Sequence, residues 1–138
     1  MAQDKGKILN RRLTIANKEG VDSNVANFRV GFISSAAAQA ISGAGAMNVT
    51  SYYTAWTTTG AQAGTLANGS VHGQLKKIQL IVDGGDGTLT PASFANGTTI
   101  TFADAGDFVI LMWNADTRKW HLIEAGNDAD GATAPVVA

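Results

Sequence analysis

The stretch Gln74-Leu75-Lys76-Lys77-Ile78-Gln79-Leu80-Ile81-Val82-Asp83-Gly84-Gly85-Asp86-Gly87-Thr88-Leu89-Thr90-Pro91 decides how the rest of the chain is read. Ile78, Leu80 and Val82 recur at a period of two, with Lys77, Gln79 and Ile81 between them, which is the pattern of a strand buried on one face. Asp83 to Gly87 is dense in residues that tolerate positive φ, so the chain turns there and re-enters extended structure at Thr88-Leu89-Thr90. Pro91 closes the segment because it has no N–H to give to a sheet ladder.

The same grammar extends in both directions. Upstream, Asn48, Thr50, Tyr52, Thr54 and Trp56 alternate with Val49, Ser51, Tyr53 and Ala55, a β-branched and aromatic run that favours a strand. A Gly- and Thr-rich passage then reaches Asn68-Gly69, a tight-turn pair. Downstream, Asn96-Gly97 turns into Thr98 to Phe102, with Ile100 and Phe102 expected inward. Asp104 to Asp107 turns again. Phe108-Val109-Ile110-Leu111-Met112-Trp113 is apolar on both faces and needs a cover on its second side, from another sheet or from a partner subunit. A last strand, Lys119 to Ile123, is expected to carry Trp120 and Leu122 inward and His121 outward. Short turns at this spacing leave no room for βαβ crossovers, so the reading is all-β, an antiparallel β-sandwich or β-barrel over residues 46–125.

Composition agrees with a thin core. Of 138 residues, 23 are Ala, 16 Gly and 14 Thr, and only 15% are charged, against about 25% in an ordinary domain. With no cysteine for staples, oligomerisation is the expected source of added stability. The net charge is −1, but it is unevenly distributed. Residues 1–30 are basic, 31–75 hold no Asp, Glu, Lys or Arg, and the remainder is acidic, a polarity that favours docking on an oppositely charged neighbour. The bases are diluted by acids and lack interleaved aromatics, so nucleic acid is not an expected partner. No apolar run suits a membrane span or an export signal, and neither a membrane partner nor conventional export is expected. Residues 1–45 read as an arm that orders on another surface, with a short helix expected around Ser34 to Gln39 from Ala propensity and a Ser34 cap. Residues 126–138 read as a surface-laid tail.

Candidates for chemistry do not assemble. His72 and His121 have no nucleophile elbow with them. Asp83 with Asp86, and Asp104 with Asp107, sit in turns where Asp serves its own backbone. Asp128-Ala129-Asp130-Gly131 resembles part of a calcium loop, but Gly126 and Val137 occupy its first and twelfth positions. No catalytic residue, metal or cofactor is expected, and the chain is read as not an enzyme. Tyr52, Tyr53 and Trp56 form a ring cluster that would suit either a sugar platform or an intersubunit contact.

The order Thr57-Thr58-Thr59-Gly60-Ala61, Leu66-Ala67-Asn68-Gly69, Gly73-Gln74-Leu75-Lys76-Lys77-Ile78, Asp83 to Pro91, Gly97 to Phe102 with Gly106-Asp107, and a Trp-bearing last hairpin resembles a small β-rich module of tailed-bacteriophage structural proteins, most like capsid decoration (cement) proteins. The resemblance implies a β-tulip-like body that trimerises and a virion protein on the outer capsid surface, with the major capsid protein as partner. On that reading Arg11, Arg12 and Arg29 contact the capsid, and Phe108, Ile110, Met112, Tyr52 and Trp56 lie at the subunit interface. The alternative it leaves is a head-fibre or tail module that binds host-surface glycan through Tyr52, Tyr53 and Trp56.

Overall fold

The structure is a computed structural model that describes residues 36–131 and 133–138. Arg11, Arg12 and Arg29, and the arm they belong to, lie outside the described residues. The chain divides into two units, and every described residue belongs to the second, Ser34–Ala138.

The described residues form ten strands: β1 (Gln39–Ser42), β2 (Gly45–Met47), β3 (Tyr53–Thr57), β4 (Gln62–Leu66), β5 (Leu75–Val82), β6 (Gly87–Pro91), β7 (Ile100–Phe102), β8 (Asp107–Asn114), β9 (Lys119–Asn127) and β10 (Val136–Val137). They make an all-β fold of two five-stranded mixed sheets. The first has the order β1-β3-β5-β8-β9 and the second β10-β7-β6-β4-β2.

The expectation of a purely antiparallel body is corrected by this topology. β5–β8–β9 and β6–β7–β10 are antiparallel, but β1–β3–β5 and β2–β4–β6 are parallel. Parallel neighbours need a crossover of a dozen or more residues, usually a helix. Here the crossover is a strand of the opposite sheet, because the chain alternates between sheets from β1 to β6. Sequence periodicity detects a strand and is blind to which sheet the next one joins.

The sheets also extend beyond residues 46–125 at both ends, since β1 and the start of β2 precede that span and β10 follows it. Where a helix was expected, Ala36 to Ala38 are irregular and Gln39 opens β1. The Gln39 Oε1 accepts from Asn48 N at 2.8 Å and Thr54 Oγ1 at 2.9 Å, and its Nε2 donates to the Ala46 carbonyl at 3.2 Å. One side chain therefore ties three strands together, and tertiary pairing outweighs the helix propensity of the alanines.

Two strand boundaries also move. The run expected through Asn48 to Trp56 breaks, because Asn48 Oδ1 accepts from Thr50 N, Ser51 N and Ser51 Oγ and folds a local turn. β4 carries only one large inward apolar residue, Leu66, so its period was not visible. The reason lies across the core: a Cβ on Gly64 would sit 3.1 Å from the Trp56 ring, and one on Gly87 would sit 2.8 Å away. The indole is floored by two glycines from the second sheet.

One buried cluster draws side chains from both sheets. Trp56, Ile78, Leu80, Val109, Leu111, Trp113 and Trp120 of the first sheet belong to the same buried cluster as Met47, Leu66, Leu89, Ile100 and Phe102 of the second. Trp56 meets Phe102 edge-on at 5.8 Å, and Trp113 meets Trp120 edge-on at 5.5 Å. Two of the buried indoles satisfy their N–H groups, Trp56 on the Gly43 carbonyl at 2.8 Å and Trp120 on the Ala67 carbonyl at 2.9 Å. Ile78 and Leu80 face inward as read, but Val82 is 51% exposed. The register shift between Trp56 and Thr57 leaves Ile81 as an extra residue in β5, which reverses the parity after it.

At the Asp83 to Gly87 turn the connection from β5 to β6 packs on the connection from β3 to β4. Thr58 Oγ1 donates to the Gly85 carbonyl at 2.6 Å and accepts from Gly84 N at 3.1 Å. A Cβ on Gly84 would lie 2.5 Å from the Thr58 carbonyl oxygen, and Gly85 holds φ at +144°. Gly84→Ala is therefore expected to destabilise the fold by about 1–3 kcal/mol, since backbone must move to admit the methyl group. A urea midpoint unchanged from wild type would contradict the stacked-turn account.

Candidate functional site

β8 presents two apolar faces, as its sequence requires. Val109, Leu111 and Trp113 enter the core, while Phe108, Ile110 and Met112 alternate onto the opposite side of the first sheet and are half-buried. Register places Met112 between Leu75 of β5 and His121 of β9, Ile110 between Lys77 and Glu124, and Phe108 between Gln79 and Gly126. On β3, Tyr53 lies beside Lys77 and Ala55 beside Gln79. The result is an apolar centre of Leu75, Phe108, Ile110 and Met112 on a four-stranded floor.

Polar groups brace this face. Lys77 Nζ stands 4.5 Å from the centroid of the Phe108 ring and 3.7 Å from Asp128 Oδ2. Gln79 Nε2 donates to Asp128 Oδ1 at 2.5 Å, and the Tyr53 hydroxyl donates to Gln79 Oε1 at 2.9 Å. Burial pushes the Tyr53 phenol pKa up, and the Asp128 carboxylate pushes it further the same way. Phe108 lies against Gly126, where a Cβ would come within 3.0 Å of the ring. A side chain on β9 at that point would lift Phe108 from the sheet. The bulge residues Ile81 of β5 and Ile123 of β9 are 47% and 56% exposed.

The structure separates the proposed interface residues. Phe108, Ile110 and Met112 share one outer face, as the double-sided pattern of β8 implied. Trp56 is corrected: it is 0% exposed in the monomer core and can neither reach a partner subunit nor stack on a sugar. Alternation over Asn48 to Trp56 failed to reveal this because the Asn48 turn interrupts the run. Tyr52 precedes β3 and is half-buried, while its neighbour Tyr53 joins the outer-face network. The ring cluster is thus dispersed.

One residue was overlooked. Lys76 is 0% exposed and points to the core side of β5, where Nζ donates to Thr54 Oγ1 at 2.6 Å and to the Ser51 carbonyl at 3.0 Å, with Ser51 Oγ at 3.4 Å. Among the described residues no carboxylate pairs with it. Burial lowers its pKa from 10.5 to about 8. The signal was present in the sequence, because Lys76 shares parity with Ile78 and Leu80.

The remaining polar candidates serve the backbone. His72 Nδ1 accepts from Ala115 N at 3.2 Å, and His121 Nε2 lies 3.0 Å from Thr117 Oγ1, so both rings are engaged with the β8–β9 turn, His72 from the β4–β5 connection and His121 from β9 itself. Asp83 Oδ1 accepts from Gly85 N at 2.8 Å. Asp107 is buried and accepts from Ala103 N, Asp104 N and Asn127 Nδ2, which fastens the turn into β8. Among the described residues no group of three or more His, Cys, Asp or Glu could hold a metal ion. The arrangement offers a surface for contact, built from a rigid sheet with an apolar centre and a braced polar edge. No protein-family model matches the chain, and no curated protein matches it.

Proposed function

We propose that the chain is a structural virion protein that binds the outer surface of a bacteriophage capsid and stabilises it as a decoration protein, without catalysis. In this reading the two sheets pack as a sandwich, the body is a homotrimer, and the outer face of the first sheet forms the contact between copies. The observation that carries the reading is that face: Phe108, Ile110 and Met112 lie on an apolar sheet surface, and Lys77, Gln79, Tyr53 and Asp128 beside it are already tied to one another. Little desolvation of those four groups would then be left uncompensated on association. Arg11, Arg12 and Arg29 remain the proposed capsid contacts, through charge-assisted hydrogen bonds to the major capsid protein. Many weak contacts repeated over a shell would add stability by avidity. The glycan-binding alternative is weakened by the burial of Trp56.

Two experiments test this. Light scattering coupled to size exclusion is expected to give the mass of three chains for wild type and of one chain for Ile110→Glu, with an unchanged circular dichroism spectrum. Purified protein is expected to bind expanded capsids and raise the temperature at which they rupture. A monomeric wild type that binds no assembled shell would overturn the reading.

A further inference from the structure

The chain contains two Asn-Gly pairs, Asn68-Gly69 and Asn96-Gly97, that are chemically alike in sequence and placed in opposite circumstances by the fold. We propose that Asn68 is a self-modification site, converting to aspartyl and isoaspartyl forms through a cyclic imide, and that Asn96 is protected from the same reaction. The inference is independent of the proposed function.

The reaction needs three things: a backbone N–H free to attack, a carboxamide free to swing onto it, and no side chain on the following residue to obstruct ring closure. The Gly69 nitrogen attacks Asn68 Cγ, forming the N–Cγ bond. The Cγ–Nδ2 bond breaks, and ammonia leaves with the proton from the Gly69 N–H. Water then adds to either imide carbonyl, and opening the ring yields aspartate or isoaspartate. No oxidant or cofactor enters.

At Asn68 these conditions are met. The residue is exposed, and among the described residues neither its carboxamide nor the Gly69 N–H makes a hydrogen bond. The anchors lie on either side: the Ala67 carbonyl accepts from Trp120 Nε1 at 2.9 Å, and Ser70 N donates to Gln74 Oε1 at 2.8 Å. Glycine is required at 69 because a Cβ there would lie 2.5 Å from Trp113 Cγ. Packing on Trp113 therefore demands the very residue that makes the preceding asparagine reactive.

At Asn96 the carboxamide is held. Its Oδ1 accepts from Leu122 N at 2.9 Å, which ties it to β9. Its neighbour is clamped from the other side, since a Cβ on Gly97 would meet the Ala138 carbonyl oxygen at 2.5 Å and Thr99 N donates to that same oxygen at 2.9 Å. Cyclisation there must first release the hydrogen bond and then move the clamped strand end. At Asn68 the isoaspartyl product lengthens the backbone by one atom beside Trp113, so conversion should also disturb the Trp113–Trp120 pair.

The test incubates the full-length chain at mildly alkaline pH, folded and in urea, and follows both sites by peptide mass and by isoaspartyl methyltransferase labelling. In the folded protein Asn68 is expected to convert about tenfold faster than Asn96, the factor set by one hydrogen bond that must open. In urea the two rates should converge, because only the fold distinguishes them. Asn68→Gln should abolish the folded-state conversion and the accompanying tryptophan fluorescence change. Equal rates in the folded chain, or failure of Asn68 to convert while folded, overturns the proposal. So does a rate difference that survives in urea, because the cause would then be local sequence.

Discussion

Trp56→Ala is expected to lower the unfolding free energy by about 3–5 kcal/mol, a large share of what a domain of this size possesses. The indole spans the two sheets, resting on Gly64 and Gly87 and meeting Phe102 edge-on. Its floor is glycine backbone within paired strands, so on that side no side chain is available to collapse into the void. The cavity penalty should therefore approach its full value. Trp56→Phe keeps an aromatic ring in the core but leaves the Gly43 carbonyl without its 2.8 Å donor, for an expected loss of about 1–3 kcal/mol. Urea unfolding followed by circular dichroism measures both, and a loss under about 1 kcal/mol for the alanine variant would contradict the packing described. Any binding lost in Trp56→Ala would report unfolding and not the removal of a contact surface.

The second large effect is on pH dependence. In the folded chain Lys76 has a pKa of about 8, below its ordinary 10.5, so between these values the unfolded state binds more protons than the folded one. Stability should consequently rise with pH through that window, and the penalty for burying the cation should be complete below about pH 8. The rise is on the order of 2–3 kcal/mol, at about 1.4 kcal/mol per pH unit. Tyr53, whose phenol is held above 10.0, acts in the opposite sense once the unfolded tyrosine ionises, so the clean interval is pH 8 to 10.

Lys76→Met should remove the slope. It should also change stability little at pH 7, because Thr54 and Ser51 already donate to Gln39 Oε1 and Asn48 Oδ1, and only the Ser51 carbonyl loses its partner. That cost of about 1–3 kcal/mol roughly offsets the relieved ionisation penalty. Urea midpoints at pH 7, 8, 9 and 10 decide the matter: parallel profiles for wild type and variant would show that Lys76 is not the group responsible.

The alternation in Gln74 to Val82, the Asn and Gly turns and the two-faced run Phe108 to Trp113 sufficed to mark β5, β6, β7, β8 and β9 and the outward position of Phe108, Ile110 and Met112. These are local matters, since a strand's two faces follow from backbone pleat and any turn from the φ its residues accept. The buried position of Lys76 was equally legible, from parity with Ile78 and Leu80. Sheet membership was a different kind of fact. β1, β2 and β4 are short, carry few large apolar residues, and exist because partners fifteen or more residues away offer them a ladder and, at Gly64, a tryptophan ring to lie against. The parallel alternation between sheets, the core position of Trp56 and the unequal tethering of the two Asn-Gly pairs depend on contacts between segments remote in sequence. No local pattern encodes such contacts, so the tertiary structure alone decided them.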